Sequence, residues 1–411
     1  MINSIQNDFI NDPMSKRIMR LLNEGGDCAR FVGGCVRDSL INLKTNDIDI
    51  ATTHKPQNII DILSSDLIKV IPTGIDHGTV SVFTDTYNFE ITTLRSDIET
   101  DGRHAKVIFT DDWEKDSTRR DFTINSIYLT PEGDIFDPQN GFSDLRKGNV
   151  KFIGNPKERI QEDYLRILRY FRFNAYYGND KVPFSSKAIK ACEESKFELK
   201  KLSPERIQSE FFKILISPRV KTVIEELSSI NILSIIFGNK VNCSFLSRMI
   251  DIDNKNLYEA DPFLRLISII YLQEINYDNL KMFSFSNKQK KLMSLFFDQK
   301  ISFSNSTNIN QLNEALYFYG KEICVKVIRV CWSTDLVEND TVWAELLLKT
   351  HKWEKPIFPI KAIDIMNQGV EKGPILGEIL KELEDYWISS HFTEGKSFLL
   401  KRLKDILALK V

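Results

Sequence analysis

The chain has 411 residues, 42% of them apolar and 27% charged, and 55 Lys and Arg against 57 Asp and Glu leave a formal net charge of −2. That length suits about two to four compact units with ordinary globular cores. The charge balance argues against a surface that is basic all over, but not against one basic face for RNA. Six cysteines, at 28, 35, 192, 243, 324 and 331, form no CxxC pair, and the five histidines are scattered, so reduced thiols are expected and a zinc site is not. The first thirty residues carry Asp8, Asp12, Glu24 and Asp27, with no long apolar run there or later. No signal peptide, no membrane partner and a cytoplasmic location are therefore expected.

In chain order, the first third reads as α/β. An amphipathic helix around Ser15–Leu22 precedes a short apolar strand, Ala29–Val32, that runs into Gly33-Gly34. A helix is predicted near Val36–Leu43, then a strand over Asp47–Ala51. Residues 79–83 and 88–94 carry the alternation and β-branched residues of paired strands. Asp101-Gly102-Arg103 marks a loop. Ile127–Leu129 and Ile135–Phe136 flank Pro131-Glu132-Gly133-Asp134, which has hairpin-turn chemistry. After Pro138 the strand signal fades. A long helical pattern covers Ile160–Tyr177, and Ser203-Pro204 reads as an N-cap with proline at the first helical position, opening a helix to about Ile216. The rest is mostly helical, with breaks near 218, 238, 254–262, 302–309 and 355–359.

Five constellations carry chemistry. On a strand, Asp47 and Asp49 project from one face. Two adjacent carboxylates suit Mg²⁺, which is commonly held by one or two carboxylates plus substrate phosphates. Gly33 and Gly34 just upstream allow backbone N–H groups to approach a phosphate. The alternative is a plain turn followed by two solvated aspartates. Glu90, between apolar neighbours in Phe89-Glu90-Ile91, is either a third acidic group facing the metals or a solvent-facing strand residue. In Arg119-Arg120-Asp121-Phe122-Thr123-Ile124-Asn125, the arginine pair suits triphosphate oxygens, and Asp121 and Asn125 can bond a ribose hydroxyl. A surface ion cluster is the other reading.

The fourth runs from Glu162-Asp163 through Arg166 and Arg169 to Phe173. On a helix, Asp163 and Arg166 are i, i+3 neighbours, and Glu162 and Arg166 are i, i+4. Such a face is either a string of salt bridges or a template for a base. In the second case the carboxylate accepts from an exocyclic amino group and the arginine donates to ring acceptors. Cytosine and adenine carry that amino group; uracil, and guanine at its six-position, carry a carbonyl instead. The fifth, Ser203-Pro204-Glu205-Arg206 through Glu210, is a charged first turn that could equally be capping and ion pairing.

These blocks in this order resemble the bacterial and eukaryotic (class II) CCA-adding enzymes and the related bacterial poly(A) polymerases. The matching stretches are FVGGCVRDSL (31–40), DIDIATT (47–53), HGTVSVF (77–83), FEITTLRSD (89–97), TDGRHAKVIF (100–109), RRDFTINSIYL (119–129), FDPQNGFSDLRKGNVKFIG (136–154), RIQEDYLRILRYFRF (159–173) and SPERIQSEFFKIL (203–215). The resemblance is dense from about residue 30 to 216 and thins beyond, where GPILGEILKELEDYW (373–387) resembles a tRNA-contacting tail helix. Cys35 stands where many relatives have Ala.

The resemblance implies an α+β fold. A nucleotidyltransferase head like that of DNA polymerase beta, with a small mixed sheet, would occupy 1–137. An elongated all-α remainder would follow: neck 138–200 for base recognition, body 201–280 and a tRNA-binding tail 281–411. It implies metal-dependent transfer of CMP and AMP to tRNA 3′ ends from CTP and ATP, with two Mg²⁺ ions and no DNA partner. Asp47 and Asp49 would hold the metals, with Glu90 beside them as a catalytic candidate. Gly33, Gly34 and Arg37 would serve the triphosphate, and Arg120, Asp121 and Asn125 the ribose and phosphates. Asp163 and Arg166 would read the base, with Arg169 on the same helix, Glu162 orienting Arg166, and Glu205 and Arg206 bracing from the next helix. Asp97–Lys106 matches the flexible loop used in switching from C to A. A poly(A) polymerase would share the chemistry, but the tail lacks a strongly basic extension. A non-catalytic RNA-binding relative would not need the acidic and template residues.

Overall fold

The computed structural model describes residues 8–101, 104–273, 275, 280–337 and 340–410. The chain divides into two compact units, residues 1–241 with 275–284, and residues 242–274 with 285–411. In the first, strands β1 (Ala29–Val32), β2 (Asp47–Thr52), β3 (Ile71–Gly74), β4 (Thr79–Phe83), β5 (Asn88–Thr93), β8 (Tyr128–Leu129) and β9 (Ile135–Phe136) form one sheet in the order β3-β4-β5-β2-β1-β8-β9. β6 (Arg95–Asp101) and β7 (His104–Phe109) make a separate antiparallel ribbon.

Alternation sets the faces of the central strands. Ile48, Ile50, Phe89 and Ile91 are buried, while Asp47, Asn88 and Glu90 on the intervening positions are exposed. β2 and β5 run parallel, pairing Ile48 with Phe89 and Asp49 with Glu90; the other pairings in the sheet are antiparallel, so it is mixed. The helix Pro13–Leu22 starts where the Asp12 carboxylate accepts from Met14 and Ser15 N–H at 2.9 and 3.0 Å, with Pro13 at its first position. It buries Ile18, Met19 and Leu22.

Below the sheet unit an aromatic core joins Phe122, Phe152, Tyr170 and Phe173. Phe122 lies 4.7 Å from Phe152 and 5.0 Å from Phe173, centroid to centroid, within the spacing of favourable aromatic pairs. It ties the segment after helix Trp113–Arg119 to helix Leu165–Tyr177. Helices Ser186–Ser195, Pro204–Leu215, Val220–Ser229 and Ile232–Phe237 also belong to this unit.

The second unit is helical among its described residues. The carboxylate of Asp253, 1% exposed, binds both Arg265 and Arg329 inside it. Helix Ile309–Thr334 is interrupted at Gly320, where φ 78° and ψ 167° are not helical. Tyr317, before the break, packs on a core of Ile360, Leu383, Trp387, Leu399 and Leu403. Among the described residues, no helix is long and apolar enough to cross a membrane.

Several expectations are corrected. The helix expected from Val36 runs Gly34–Leu40 instead. Of the loop expected at Asp101–Arg103, Asp101 belongs to β6, and Gly102 and Arg103 lie outside the described residues, as do the side chains of 97–106. The continuous helix over 160–177 breaks: Pro156–Glu162 ends at Asp163, which is extended at φ −155° and ψ 109°, and a new helix begins at Leu165. Asp163 has one strong local use for that conformation, since its carboxylate accepts from Leu165 N–H at 3.1 Å as an N-cap does. Ser203 caps its helix through position only, with no side-chain cap bond. Strand β3, too polar and exposed to signal itself, was not anticipated.

Candidate active site

The Gly33-Gly34 turn sits at the end of β1, directly over Asp49. Gly33 has φ 73° and ψ −129°, a backbone open essentially to glycine. A Cβ there would lie 3.2 Å from Asp49 Oδ2 and 3.7 Å from Arg120 Nη1. The absent side chain is therefore what lets carboxylate and guanidinium meet the turn. Gly34 N–H donates to Asp49. Burial, and next the charge of Glu90 across the β2–β5 pairing, push the Asp49 carboxyl up to about 6, against the pull of Arg120. Asp47 is exposed, and its Oδ1 accepts from Asn88 Nδ2 at 3.1 Å.

Among the described residues no three His, Cys, Asp or Glu side chains form a ready metal cage. The residues present nevertheless fit a hard divalent cation. Asp47 and Asp49 share a strand face, and burial, followed by the charges of Glu90 and Asp47, raises the Asp49 carboxyl, a cost that a cation between carboxylates relieves. Mg²⁺ in such sites keeps waters and substrate phosphates as its other ligands.

Arg119 and Arg120 are aimed by a residue that sequence reasoning passed over. Asp116 is fully buried and accepts from Arg119 Nε at 2.9 Å, Arg120 Nη2 at 3.1 Å and Tyr128 OH at 2.7 Å. Burial works to raise its carboxyl, but the two guanidinium charges hold it well below the usual carboxylate range. The spacing D-x-x-R-R, i to i+3 and i+4, was the available signal.

Asp121 and Asn125 form a chain to Arg37. Asp121 Oδ2 accepts from Arg169 Nε at 2.8 Å, Asp121 Oδ1 accepts from Asn125 Nδ2 at 2.9 Å, and Asn125 Oδ1 accepts from Arg37 Nη1. Burial opposes ionisation of Asp121, and the Arg169 charge outweighs it, holding the carboxyl well below its usual value. Arg37 is itself clamped by Asp38 at 2.9 and 3.0 Å, and Tyr177 OH donates to Asp38 at 2.8 Å.

Asp163 and Arg166 have different partners. Arg206 Nη2 donates to Asp163 Oδ2 at 2.7 Å from the neighbouring helix, while Arg166 pairs with Glu162 and donates to the Arg159 carbonyl at 2.8 Å.

A cleft of about 780 Å³ joins these groups, within the range of small-molecule sites. Gly33, Gly34, Arg37, Asp49, Arg120, Asp121, Asn125, Asp163, Arg166, Arg169 and Arg206 line it. Asp47, Glu90, Glu162 and Glu205 do not; Glu162 stands behind Arg166, and Glu205 is exposed on the first turn of helix Pro204–Leu215. Asp38, Arg172, Phe173, Tyr177 and Lys213, which the sequence pattern gives no role, also line it. The i, i+3, i+6 run of Arg166, Arg169 and Arg172 was the legible sign of that wall. Seven arginines and a lysine face four aspartates here, so the lining is positive although the chain is not, as a polyphosphate ligand requires.

A mixed sheet whose central strand carries two aspartates beneath a Gly-Gly turn, opening on an arginine-walled cleft, is the arrangement of a nucleotidyltransferase. Residues 29–151 match the Poly A polymerase head domain, and residues 184–239 match the probable RNA and SrmB-binding site of polymerase A. The mitochondrial CCA tRNA nucleotidyltransferase 1 of Homo sapiens is 35% identical over 382 residues, 91% of this chain and 86% of that protein. The CCA-adding enzyme of Ligilactobacillus salivarius is 30% identical over 407 residues, 96% of each. The fold matches that of the Bacillus stearothermophilus CCA-adding enzyme, solved in complex with CTP, at a TM-score of 0.75 and 23% identity, covering 100% of this chain and 99% of that one. The chain belongs to the CCA-adding tRNA nucleotidyltransferases, a family of metal-dependent enzymes.

Proposed function

We propose that this protein adds CMP and AMP residues to tRNA 3′ ends from CTP and ATP. The observation that carries the reading is one cleft uniting Asp49, the Gly33-Gly34 turn, Arg120 and the Asp163–Arg206 pair. The RNA 3′-hydroxyl attacks the α-phosphorus in line; the new O–P bond forms as the bond to pyrophosphate breaks. Two Mg²⁺ ions held by Asp47 and Asp49 would neutralise the triphosphate and help ionise the hydroxyl. Arg37 and Arg120 bind phosphate oxygens, with Gly33 and Gly34 leaving room for them. Asp121 and Asn125 orient the ribose side of the nucleotide. Glu90, paired across from Asp49 on β5, adds to the acidic cluster and keeps it in need of cations.

Asp163 accepts from the amino group of cytosine or adenine. A carboxylate has about four lone-pair sites, so bonds from Arg206 and Leu165 leave capacity for the base. Arg166, held by Glu162, donates to ring acceptors; Arg169 steadies Asp121, and Glu205 belongs to the bracing turn. The finer division, head 1–137, neck 138–200, body 201–280 and tail 281–411, assigns tRNA to the tail. A cytoplasmic location suits these substrates. Incubation of tRNA lacking its CCA end with labelled CTP and ATP tests the reading. Three defined additions support it; a long adenylate ladder would make the protein a poly(A) polymerase, and no product from a folded, Mg²⁺-supplied protein would overturn it.

A further inference from the structure

We infer that Phe173 is a positioning residue that orders three cleft arginines through cation–π contact with one aromatic ring. The inference rests on the cleft being the nucleotide site. The guanidinium carbons of Arg37, Arg169 and Arg172 lie 5.2, 5.3 and 4.4 Å from its centroid, all inside the range of cation–π attraction. The ring is 4% exposed, with the ring centroids of Phe122 at 5.0 Å and Tyr177 at 5.8 Å from its own.

Each of the three arginines also has its own carboxylate. Asp38 holds Arg37 at 2.9 Å, Asp121 holds Arg169 at 2.8 Å, and Glu210 holds Arg172 at 2.8 Å. A carboxylate alone would leave a guanidinium free to swing about that contact. Held between carboxylate and ring, each fork is fixed on two sides, and its remaining donors are kept for the ligand. A carbon-only ring suits this place. It attracts three cations without neutralising them, whereas a further acid would cancel the field that draws a triphosphate. Clustered like charges repel, and the ring offers each of them compensation from one point. The anchors come from two helices, Gly34–Leu40 and Leu165–Tyr177, so the ring also sets the spacing between groups that the local backbone does not couple.

The test measures steady-state addition to tRNA lacking CCA, with Mg²⁺, for wild type, Phe173→Leu, Phe173→Tyr and Phe122→Leu. Phe173→Leu keeps apolar bulk and loses the ring. It is expected to raise KM for CTP and ATP together by about tenfold, with the C-over-U preference unchanged. Phe173→Tyr should restore KM, and Phe122→Leu, which removes a ring not stacked on these arginines, should lower Tm without that KM rise. Site-specific incorporation of mono-, di- and trifluorinated phenylalanine at 173 changes ring charge with little change of volume. KM should climb with each fluorine, which also decides the matter should the leucine variant not fold. A flat KM across the fluorine series in active protein would overturn the inference. Inactivity of wild type itself would instead count against the nucleotide-site reading.

Discussion

A methyl group at Gly33 would press on Asp49 Oδ2 from a backbone with φ 73°. Gly33→Ala is therefore expected to strain the turn by about 1–3 kcal/mol and to cut nucleotide addition by about a hundredfold, the effect of moving reacting groups by about 1 Å. Unaltered turnover in a folded variant would show that the turn does not set the position of Asp49. Asp47→Asn and Asp49→Asn should each remove nearly all addition while tRNA still binds; normal turnover of the double variant in Mg²⁺ would refute their assignment to the metals. Asp163→Ala should relax base choice, raising UTP use relative to CTP, because discrimination by paired hydrogen bonds collapses when one partner is lost. A wild-type C-over-U ratio would end the template reading while leaving the metal assignment intact. Gly33, Asp47 and Asp49 were legible in the sequence because strand alternation and glycine's conformational range are local rules. Asp163 was legible by type but not by geometry: its partner is Arg206, 43 residues on, and no local period reports such a contact.

Among the elements, helix Trp113–Arg119 does more for the cleft than its seven residues suggest. Its Asp116 is buried beneath Arg119, Arg120 and Tyr128. Asp116→Asn should destabilise the protein by about 3–5 kcal/mol, as breaking a buried pair does, and weaken triphosphate binding through Arg120; an unchanged Tm would contradict that burial. Asp116 and Asp121 both have carboxyls depressed in the folded state. Such groups contribute stability that is fully present above the unfolded value of about 4 and is lost as pH falls below it. The Tm of the wild type should thus drop steeply below about pH 4, and Asp116→Asn should flatten that drop. The strands over 79–83 and 88–93 were readable from period two. The break at Asp163 was not, because the apolar spacing on either side keeps helical phase while a single side chain redirects the backbone between.

At the scale of the whole molecule, a net charge of −2 coexists with a cleft wall dominated by arginine, so composition was a poor guide to where polyanions bind. If tRNA is held through its phosphates, the logarithm of its affinity should fall linearly with that of salt concentration; affinity indifferent to salt would exclude phosphate-led binding. The helical second unit was legible only as a class, since helix periodicity fixes amphipathic faces but not which helix each one meets. Gly320 has a consequence there. Its φ and ψ lie in a region open essentially to glycine, and a Cβ would meet nothing within 4 Å, so conformation rather than crowding keeps glycine at that position. The break divides one long hydrogen-bond ladder into two cooperative blocks: Ile309–Tyr319, whose Tyr317 packs on Trp387 and Phe392, and the stretch from Lys321 that buries Val327, Val330 and Trp332. Opening of the first block need not propagate into the second. Native-state amide exchange should therefore give the two blocks separate opening free energies, with residues 309–319 exchanging alongside 374–406.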